Sequence, residues 1–115
     1  MGMPTLSRRA SQQLDRIRDV FALSEHELAA LFGVQRQSVT EWREKGIPRA
    51  RAASVERLVD LANVFAREVI ETRIPEIVRT EDEWLPRKTI LETIKSDGPE
   101  PIYRYLRRLF AYSGT

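Results

Sequence analysis

Apolar residues recur in this chain at spacings of three and four positions, as they do on one face of an α-helix. The first such stripe consists of Ala10, Leu14, Ile17 and Phe21. Others begin near Leu28, Val55 and Ile102, whereas no stretch of useful length alternates between apolar and polar residues as a strand does. We therefore predict an all-α protein with about five to seven helices.

Capping residues predict where several of these helices begin and end. Ser24 and Glu27 have the spacing of a capping box, in which each side chain accepts a hydrogen bond from the backbone of the other residue. Gly33 ends the helix that this box starts, because glycine adopts positive φ without strain. We also expect Ser7 to cap the first helix and Thr89 to cap a later one.

The remaining stripes predict a third helix at about residues 35–45 and a long fourth helix that starts near Arg51. The apolar side of the fourth helix extends as far as Ile70. We therefore expect a helix bundle at residues 5–70, followed by a smaller helical lobe at residues 71–115.

Residues 25–44 have the residue types that a helix–turn–helix requires at given positions. The fifth residue of the segment, where the two helices cross, is the small Ala29, and the ninth, which needs positive φ, is Gly33. The five positions that must be apolar hold Leu28, Phe32, Val34, Val39 and Trp42. The pattern favours a helix–turn–helix over its alternative, two unrelated amphipathic helices in a bundle.

Residues 23–34, with the sequence LSEHELAALFGV, resemble the helix–turn–helix of the Xre/phage-repressor superfamily. Further along, residues 78–82 (VRTED), Leu85 and residues 88–95 (KTILETIK) are similar in order and spacing to the C-terminal domain of Xre/MbcA/ParS-type antitoxins. The resemblance implies a bacterial, cytoplasmic antitoxin that represses its own operon and whose C-terminal lobe binds a RES-type toxin. Toxins of that type attack NAD or use it to modify a protein.

In a helix–turn–helix, the second helix lies in the major groove of DNA with its first residues at the base edges. The outward positions there, which we predict as base contacts, are Gln35, Arg36, Gln37, Thr40 and Glu41. Arginine pairs bidentately with guanine and glutamine with adenine, whereas Glu41 could accept from cytosine or orient Arg36 or Arg43. A single module contacts few bases, so we expect a homodimer on an operator in double-stranded DNA.

Cations cluster around and just after that helix. The predicted phosphate contacts are Arg43, Lys45, Arg49 and Arg51. Residues 35–51 carry a net charge of +3, from five cations and two carboxylates, whereas residues 71–83 carry −3. Opposite charge on the two segments suits a DNA-binding surface joined to a second interaction surface, and each run is also typical of a solvated helix face.

The C-terminal lobe contains aromatic and basic residues of the kinds that most often anchor protein interfaces. The predicted partner contacts are Trp84, Tyr103, Arg104, Arg107 and Arg108. Trp84 has two open interpretations, a core residue or a partner anchor. Tyr103 and Tyr105 lie on different sides of the last helix, so we expect one of them in a dimer or partner contact.

Composition excludes most catalytic and metal chemistry. The chain has no cysteine and a single histidine, His26, which excludes disulfides, thiolate metal sites, cysteine nucleophiles and multi-histidine sites. The adjacent carboxylates at residues 81–83 are typical of acidic surface. We expect no enzyme activity, catalytic residue, metal or cofactor. Absent cysteine fits a reducing compartment, and no apolar run approaches the roughly 20 residues that span a bilayer.

Two other functions stay open on the sequence alone. One is a stand-alone transcriptional regulator that has no toxin partner. The other is a pure protein-interaction inhibitor that has lost DNA binding. Glu41 and Glu44 keep the second one open, because carboxylates on the predicted DNA-contacting face repel phosphate.

Overall fold

Seven α-helices and one 3-10 turn account for most of the part of the chain that the computed structural model describes, residues 5–86 and 88–113. In chain order the helices are α1 (Thr5–Phe21), α2 (Glu25–Leu31), α3 (Arg36–Lys45), α4 (Arg49–Glu68), α5 (Ile74–Val78), α6 (Ile90–Asp97) and α7 (Glu100–Ser113). The described residues contain no strand, only an isolated bridge between Asp82 and Lys88. The prediction of an all-α protein is confirmed.

The predicted capping residues start two of the helices. At α2, the backbone N–H of Glu27 donates to Ser24 Oγ at 3.0 Å, and the backbone N–H of Ser24 donates to Glu27 Oε1 at 2.9 Å. Thr89 and Glu92 make the same reciprocal pair at the start of α6. Such a box satisfies two of the backbone donors that a helix leaves unpaired at its N-terminus, so these boundaries follow from local sequence.

Two of the expected boundaries are wrong. Ser7 does not cap α1, because the helix already includes Thr5 and Ser7 is buried within its first turns. The apolar stripe of the fourth helix continues to Ile70 in the sequence, but α4 ends at Glu68 and the backbone of Val69 is extended. Ile70 therefore leaves the helix, and its side chain is 70% exposed.

One continuous cluster of buried side chains holds the helices together. In it, Phe21 of α1 meets Phe65 of α4 edge to face, with ring centroids 5.2 Å apart. The cluster extends from the four N-terminal helices into the C-terminal segment, where it includes Ile74, Val78, Leu85, Ile90, Ile94, Ile102, Tyr105 and Leu106. The two predicted lobes thus share buried contacts, and the boundary at residue 70 stays a prediction about how the chain is divided.

Arg79, just after α5, binds the turn that joins α1 to α2. One terminal nitrogen of its guanidinium donates to the carbonyls of Phe21 and Pro75, at 3.2 and 3.0 Å. The other donates to the carbonyl of Ala22 at 2.7 Å and to the Glu27 carboxylate at 3.0 Å. Ala22 has a φ of +56°, a strained value for a residue with a side chain. Arg79 therefore satisfies carbonyls that the end of α1 exposes and stabilises a strained turn.

The Glu27 carboxylate belongs to this turn as well. The hydrogen bond from the backbone N–H of Ser24 and the nearby guanidinium of Arg79 hold the pKa of Glu27 below its usual value. A carboxyl whose pKa is lowered by folding stabilises the native state above its unfolded pKa, and this contribution is lost as the pH falls through the folded pKa. The α1–α2 turn should therefore keep this stabilisation at neutral pH and lose it in acid, as the pH falls through the folded pKa of Glu27.

Replacing Arg79 should destabilise the protein. We expect Arg79→Ala to lower the free energy of unfolding by about 1–3 kcal/mol, because partly buried carbonyls and a carboxylate lose a charged donor. Urea denaturation followed by circular dichroism measures this. The matched control is Arg73→Ala, which removes an exposed arginine whose ion pair with Glu76 is 3.6 Å long. The control should change the free energy of unfolding by less than about 0.5 kcal/mol, and equal losses in the two variants would contradict the role of Arg79.

Candidate nucleic-acid interface

The turn between α2 and α3 depends on one glycine. Gly33 has a φ of +67°, and its backbone N–H donates to the carbonyl of Ala30 at 3.0 Å. The N–H of Val34 then donates to the carbonyl of Ala29 at 3.1 Å. No atom lies within 4 Å of the place where a β-carbon on Gly33 would be, so the backbone conformation and not the available space requires glycine here.

The apolar positions of the pattern hold α2 and α3 together. Leu28, Ala29, Phe32, Val39 and Trp42 are buried, and Val34 is half-buried against the same cluster. The rings of Phe32 and Trp42 meet edge to face with centroids 5.5 Å apart. The burial of each position agrees with the sequence pattern, and the assignment of this helix pair as a DNA-binding helix–turn–helix stays a prediction.

The five predicted base contacts lie together on the outer side of α3. Gln35, Arg36, Gln37, Thr40 and Glu41 are all exposed. Gln35 is the N-cap residue and has an extended backbone, so it precedes the helix and does not belong to it. The hydroxyl of Thr40 donates to the carbonyl of Arg36 at 3.3 Å, which turns it towards the helix backbone. The arginine and glutamine side chains are thus the principal polar groups at the start of α3.

The predicted phosphate contact Arg43 has partners inside the protein. Its guanidinium donates to Asp15 of α1 at 2.6 Å and to Glu25 of α2 at 3.0 and 3.2 Å. Its side chain is only 20% exposed. Arg18 of α1 approaches the same two carboxylates at 3.3 and 3.4 Å. The geometry therefore favours a positioning role for Arg43, in which it holds α3 against α1 and α2, over direct contact with phosphate.

Sequence reasoning missed these partners of Arg43. It considered Glu41 as the group that could orient Arg43, whereas Asp15 and Glu25 lie 28 and 18 residues away in the sequence. Two local signals could have indicated them: Glu25 is an acidic residue at the start of α2, and Asp15 is another on the polar side of α1. Neither signal says how the helices cross, so the pairing could not be assigned from the sequence.

The other three predicted phosphate contacts differ in their exposure and in their contacts within the protein. Arg51 is half-buried, donates to the carbonyl of Phe32 at 2.9 Å and lies over the Trp42 ring with its guanidinium carbon 5.9 Å from the centroid. Lys45 and Arg49 are exposed and form no ion pair within the described part of the chain. These two cations lie at the end of α3 and the start of α4, where they extend the exposed polar face.

The predicted partner contacts do not form one patch. Tyr103 is half-buried, and the guanidinium of Arg57 lies 4.5 Å from its ring centroid. The hydroxyl of Tyr103 donates to the carbonyl of Arg57 at 3.3 Å. Trp84, Arg104 and Arg108 instead line a common cleft on the other side of α7. Arg107 is exposed and does not line that cleft.

Trp84 is packed on one side and exposed on the other, and its role as a partner anchor stays a prediction. It is 37% exposed, and its ring meets Tyr105 edge to face with centroids 5.9 Å apart. Tyr105 of α7 is buried, and its hydroxyl donates to Asp82 Oδ2 at 2.7 Å. Burial and this hydrogen bond to a carboxylate both raise the pKa of Tyr105 well above its usual value. One side of Trp84 thus packs on a fixed phenol while the other reaches the surface.

No model of a protein family, no curated protein and no solved structure matches this chain. In the described residues, no group of histidine, cysteine, aspartate and glutamate side chains is arranged to hold a metal ion. None of the described helices is both long and apolar enough to cross a membrane.

The ion pairs of Arg43 predict a measurable effect on stability. Arg43→Ala should lower the free energy of unfolding by about 1–3 kcal/mol, because Asp15 and Glu25 lose the cation that makes their shortest contacts and keep only Arg18, at 3.3 and 3.4 Å. The control is Lys45→Ala, two residues further along α3, which removes an exposed cation. It should change the free energy of unfolding by less than about 0.5 kcal/mol. Urea denaturation of both variants distinguishes the two roles. Similar small effects would show that Arg43 does not hold α3 in place.

Proposed function

We propose that this protein is a DNA-binding antitoxin of a type II toxin–antitoxin pair, which neutralises a RES-type toxin and represses its own operon. The observation that carries the DNA-binding part is the two-sided character of α3. Val39 and Trp42 fix its inner side in the core, while Arg36 and Gln37 stand exposed at the first turn of its outer side. A helix anchored in this way offers its outer side to a partner without rearrangement of the core.

The dimensions and chemistry of α3 suit the major groove. An α-helix with its side chains is about 10–12 Å in diameter, and the major groove is about 12 Å wide. Arg36 suits bidentate pairing with guanine O6 and N7, and Gln37 suits pairing with adenine N6 and N7. Lys45 and Arg49, at the far end of the helix, are the cations best placed to contact phosphate. Base contacts would come from the start of α3 and phosphate contacts from its end.

A homodimer is part of the proposal. One module of this size covers few base pairs, whereas two copies related by a two-fold axis cover two half-sites. Such half-sites lie about 10 base pairs apart or a multiple of that distance. The operator should therefore be a palindrome.

The toxin part of the proposal rests on the resemblance of residues 78–95 to the C-terminal domain of antitoxins. The experiment that tests it is coexpression of the tagged chain with the product of a neighbouring gene that encodes a RES-type enzyme. The proposal expects the two proteins to co-purify and the toxin to lose its activity on NAD in the complex. Absence of any such neighbour, together with intact operator binding, would identify a stand-alone regulator.

One observation favours a second candidate function, protein interaction without DNA binding. Glu41 and Glu44 are exposed on α3, and Arg43, between them, is already paired with Asp15 and Glu25. The outer face of α3 is therefore less positive than its sequence implies. DNA affinity at low salt discriminates the two functions, because a protein that no longer binds DNA shows no binding even there.

The base contacts predict loss of specific binding. On the best duplex selected from a random library, Arg36→Ala and Gln37→Ala should each weaken binding by about 1–3 kcal/mol and relax the preference at particular base pairs. Arg67→Ala is the matched control, since Arg67 is an exposed arginine in the last turn of α4. Electrophoretic mobility shifts measure all three. If both variants bind the selected duplex like wild type, α3 does not lie in the groove as proposed.

The phosphate contacts predict a change in salt dependence. Lys45→Ala and Arg49→Ala should weaken binding to all duplexes alike and should each lower the slope of log K against log salt by about 1. Arg67→Ala should leave the slope unchanged, because Arg67 lies 18 residues along α4 from Arg49, about 27 Å away. Titrations at several salt concentrations measure the slope. A loss confined to one sequence, with an unchanged slope, would remove these residues from the phosphate contacts.

A further inference from the structure

A cleft opens on the C-terminal half of the chain, between α6, α7 and the loop that precedes α6. Its volume is about 340 Å³. Trp84 and Tyr105 form an aromatic wall, and Leu85, Pro86 and Pro101 add apolar surface. The cleft is large enough for one or two side chains of a bound peptide. No residue of α3 lines it, so it is a separate surface from the proposed DNA interface.

The charges in this cleft are predominantly positive. Lys88, Arg104 and Arg108 line it together with a single carboxylate, that of Asp97. Neither arginine forms an ion pair with another described residue, in contrast to the paired Arg43 and Arg79. The ammonium of Lys88 donates to Ser96 Oγ at 3.1 Å, which fixes its position at the edge of the cleft. The cleft thus holds two guanidinium groups that form no ion pair with a carboxylate of the described residues.

One of these donors makes a cation–π contact with the aromatic wall of the cleft. The guanidinium of Arg108 lies over the Trp84 ring, with its central carbon 4.9 Å from the centroid. A cation–π contact restricts the positions of this guanidinium, whose planar N–H donors match the two oxygens of a carboxylate. The edge-to-face contact with Tyr105, whose hydroxyl binds Asp82, limits movement of the indole in turn. The arrangement is therefore organised for a planar anion beside an apolar surface.

Charges around the cleft favour a peptide over a nucleic acid. Asp97 lines it, and the loop that forms one wall contains three successive acidic residues at positions 81–83. A chain of phosphates would meet this negative charge on leaving the two arginines. A peptide carries its carboxylates one at a time and can place apolar side chains between them. Tryptophan, tyrosine and arginine are also the residues that most often dominate protein interfaces.

We propose that this cleft binds an acidic segment of a protein partner. One or two aspartate or glutamate side chains of the segment pair with Arg104 and Arg108, and a neighbouring apolar side chain packs on Trp84. This inference rests on the proposed function only in taking that partner to be the neutralised toxin. In this contact the partner, and not this chain, supplies the carboxylates.

The test is a selection of random peptides displayed on phage against the full, immobilised chain. We expect enrichment of peptides in which an acidic residue stands next to an apolar or aromatic one. The most enriched peptide is then synthesised and titrated by calorimetry. Enrichment of basic or uncharged peptides, or of none, overturns the inference.

Charge-reversal variants place the binding in the cleft. Arg104→Glu combined with Arg108→Glu should weaken the selected peptide by about tenfold or more, since two charged donors are lost. The matched control is Arg107→Glu, which makes the same change on α7 outside the cleft and should weaken the peptide much less. Equal effects of the double variant and the control overturn the inference, because they indicate attraction to the general charge of the helix.

A second variant controls for the possibility that the double substitution unfolds α7. Lys88→Glu reverses a charge that lines the cleft from the loop before α6 and leaves the sequence of α7 unchanged, so loss of peptide binding with intact helicity supports the cleft. Circular dichroism of every variant checks helicity. A competition experiment tests the alternative ligand, a single-stranded oligonucleotide. If the oligonucleotide displaces the peptide, and if the variant with both Arg104→Glu and Arg108→Glu no longer binds the oligonucleotide, the cleft belongs to nucleic acid and the inference is overturned.

The outcomes also separate this inference from the proposed function. A chain that binds its selected duplex but enriches no acidic peptide overturns the inference and leaves DNA binding intact. A chain that enriches acidic peptides but binds no DNA supports the cleft and contradicts the proposed repressor.

Discussion

The contact of Arg79 with the α1–α2 turn is the constraint on which the rest of the arrangement depends. That turn contains a strained residue, Ala22, and leads directly into the capping box of α2. Glu27 belongs to both features, because its carboxylate caps α2 and also accepts from Arg79. Since α2 packs on α3 through Phe32 and its neighbours, the placement of the predicted DNA-contacting helix depends on Arg79, which lies 34 residues beyond the end of α3. The C-terminal segment thus helps to build the N-terminal bundle.

Some arginines of this protein bind carboxylates and carbonyls within the fold, and others form no such contact with the described residues and can bind a partner. Arg43 and Arg79 join elements distant in sequence through carboxylates and carbonyls. Arg36 and Arg49 stand exposed around α3, and Arg104 and Arg108 line the cleft at α7. The formal net charge of +2 therefore includes two separate groups of cations, one around α3 and one at the cleft, that form no ion pair with a described residue. This separation is what allows one small chain to have two interaction surfaces of different chemistry.

Local sequence predicted those features that local physics decides. The capping boxes, the positive φ of Gly33 and the burial of the apolar positions on α2 and α3 were all predictable, because each depends on residues within one or two helical turns. Periodicity could not predict that the chain leaves α4 before Ile70, since an apolar residue fits a stripe whether or not the helix continues. The ion pairs of Arg43 and the contacts of Arg79 depend on how helices cross, and the cleft depends on a loop that folds against two helices. Exposure of the base-contacting candidates was predictable, whereas their activity towards DNA is a proposal.

The central claim is that the outer face of α3 contacts the major groove, and nuclear magnetic resonance tests it most directly. Amide chemical shifts of the ¹⁵N-labelled chain would be recorded during titration with the selected DNA duplex. The account predicts that the largest changes cluster at residues 35–41 and around Lys45 and Arg49, with little change in the cleft residues Arg104 and Arg108. Changes concentrated at the cleft, or no changes at low salt, would contradict it.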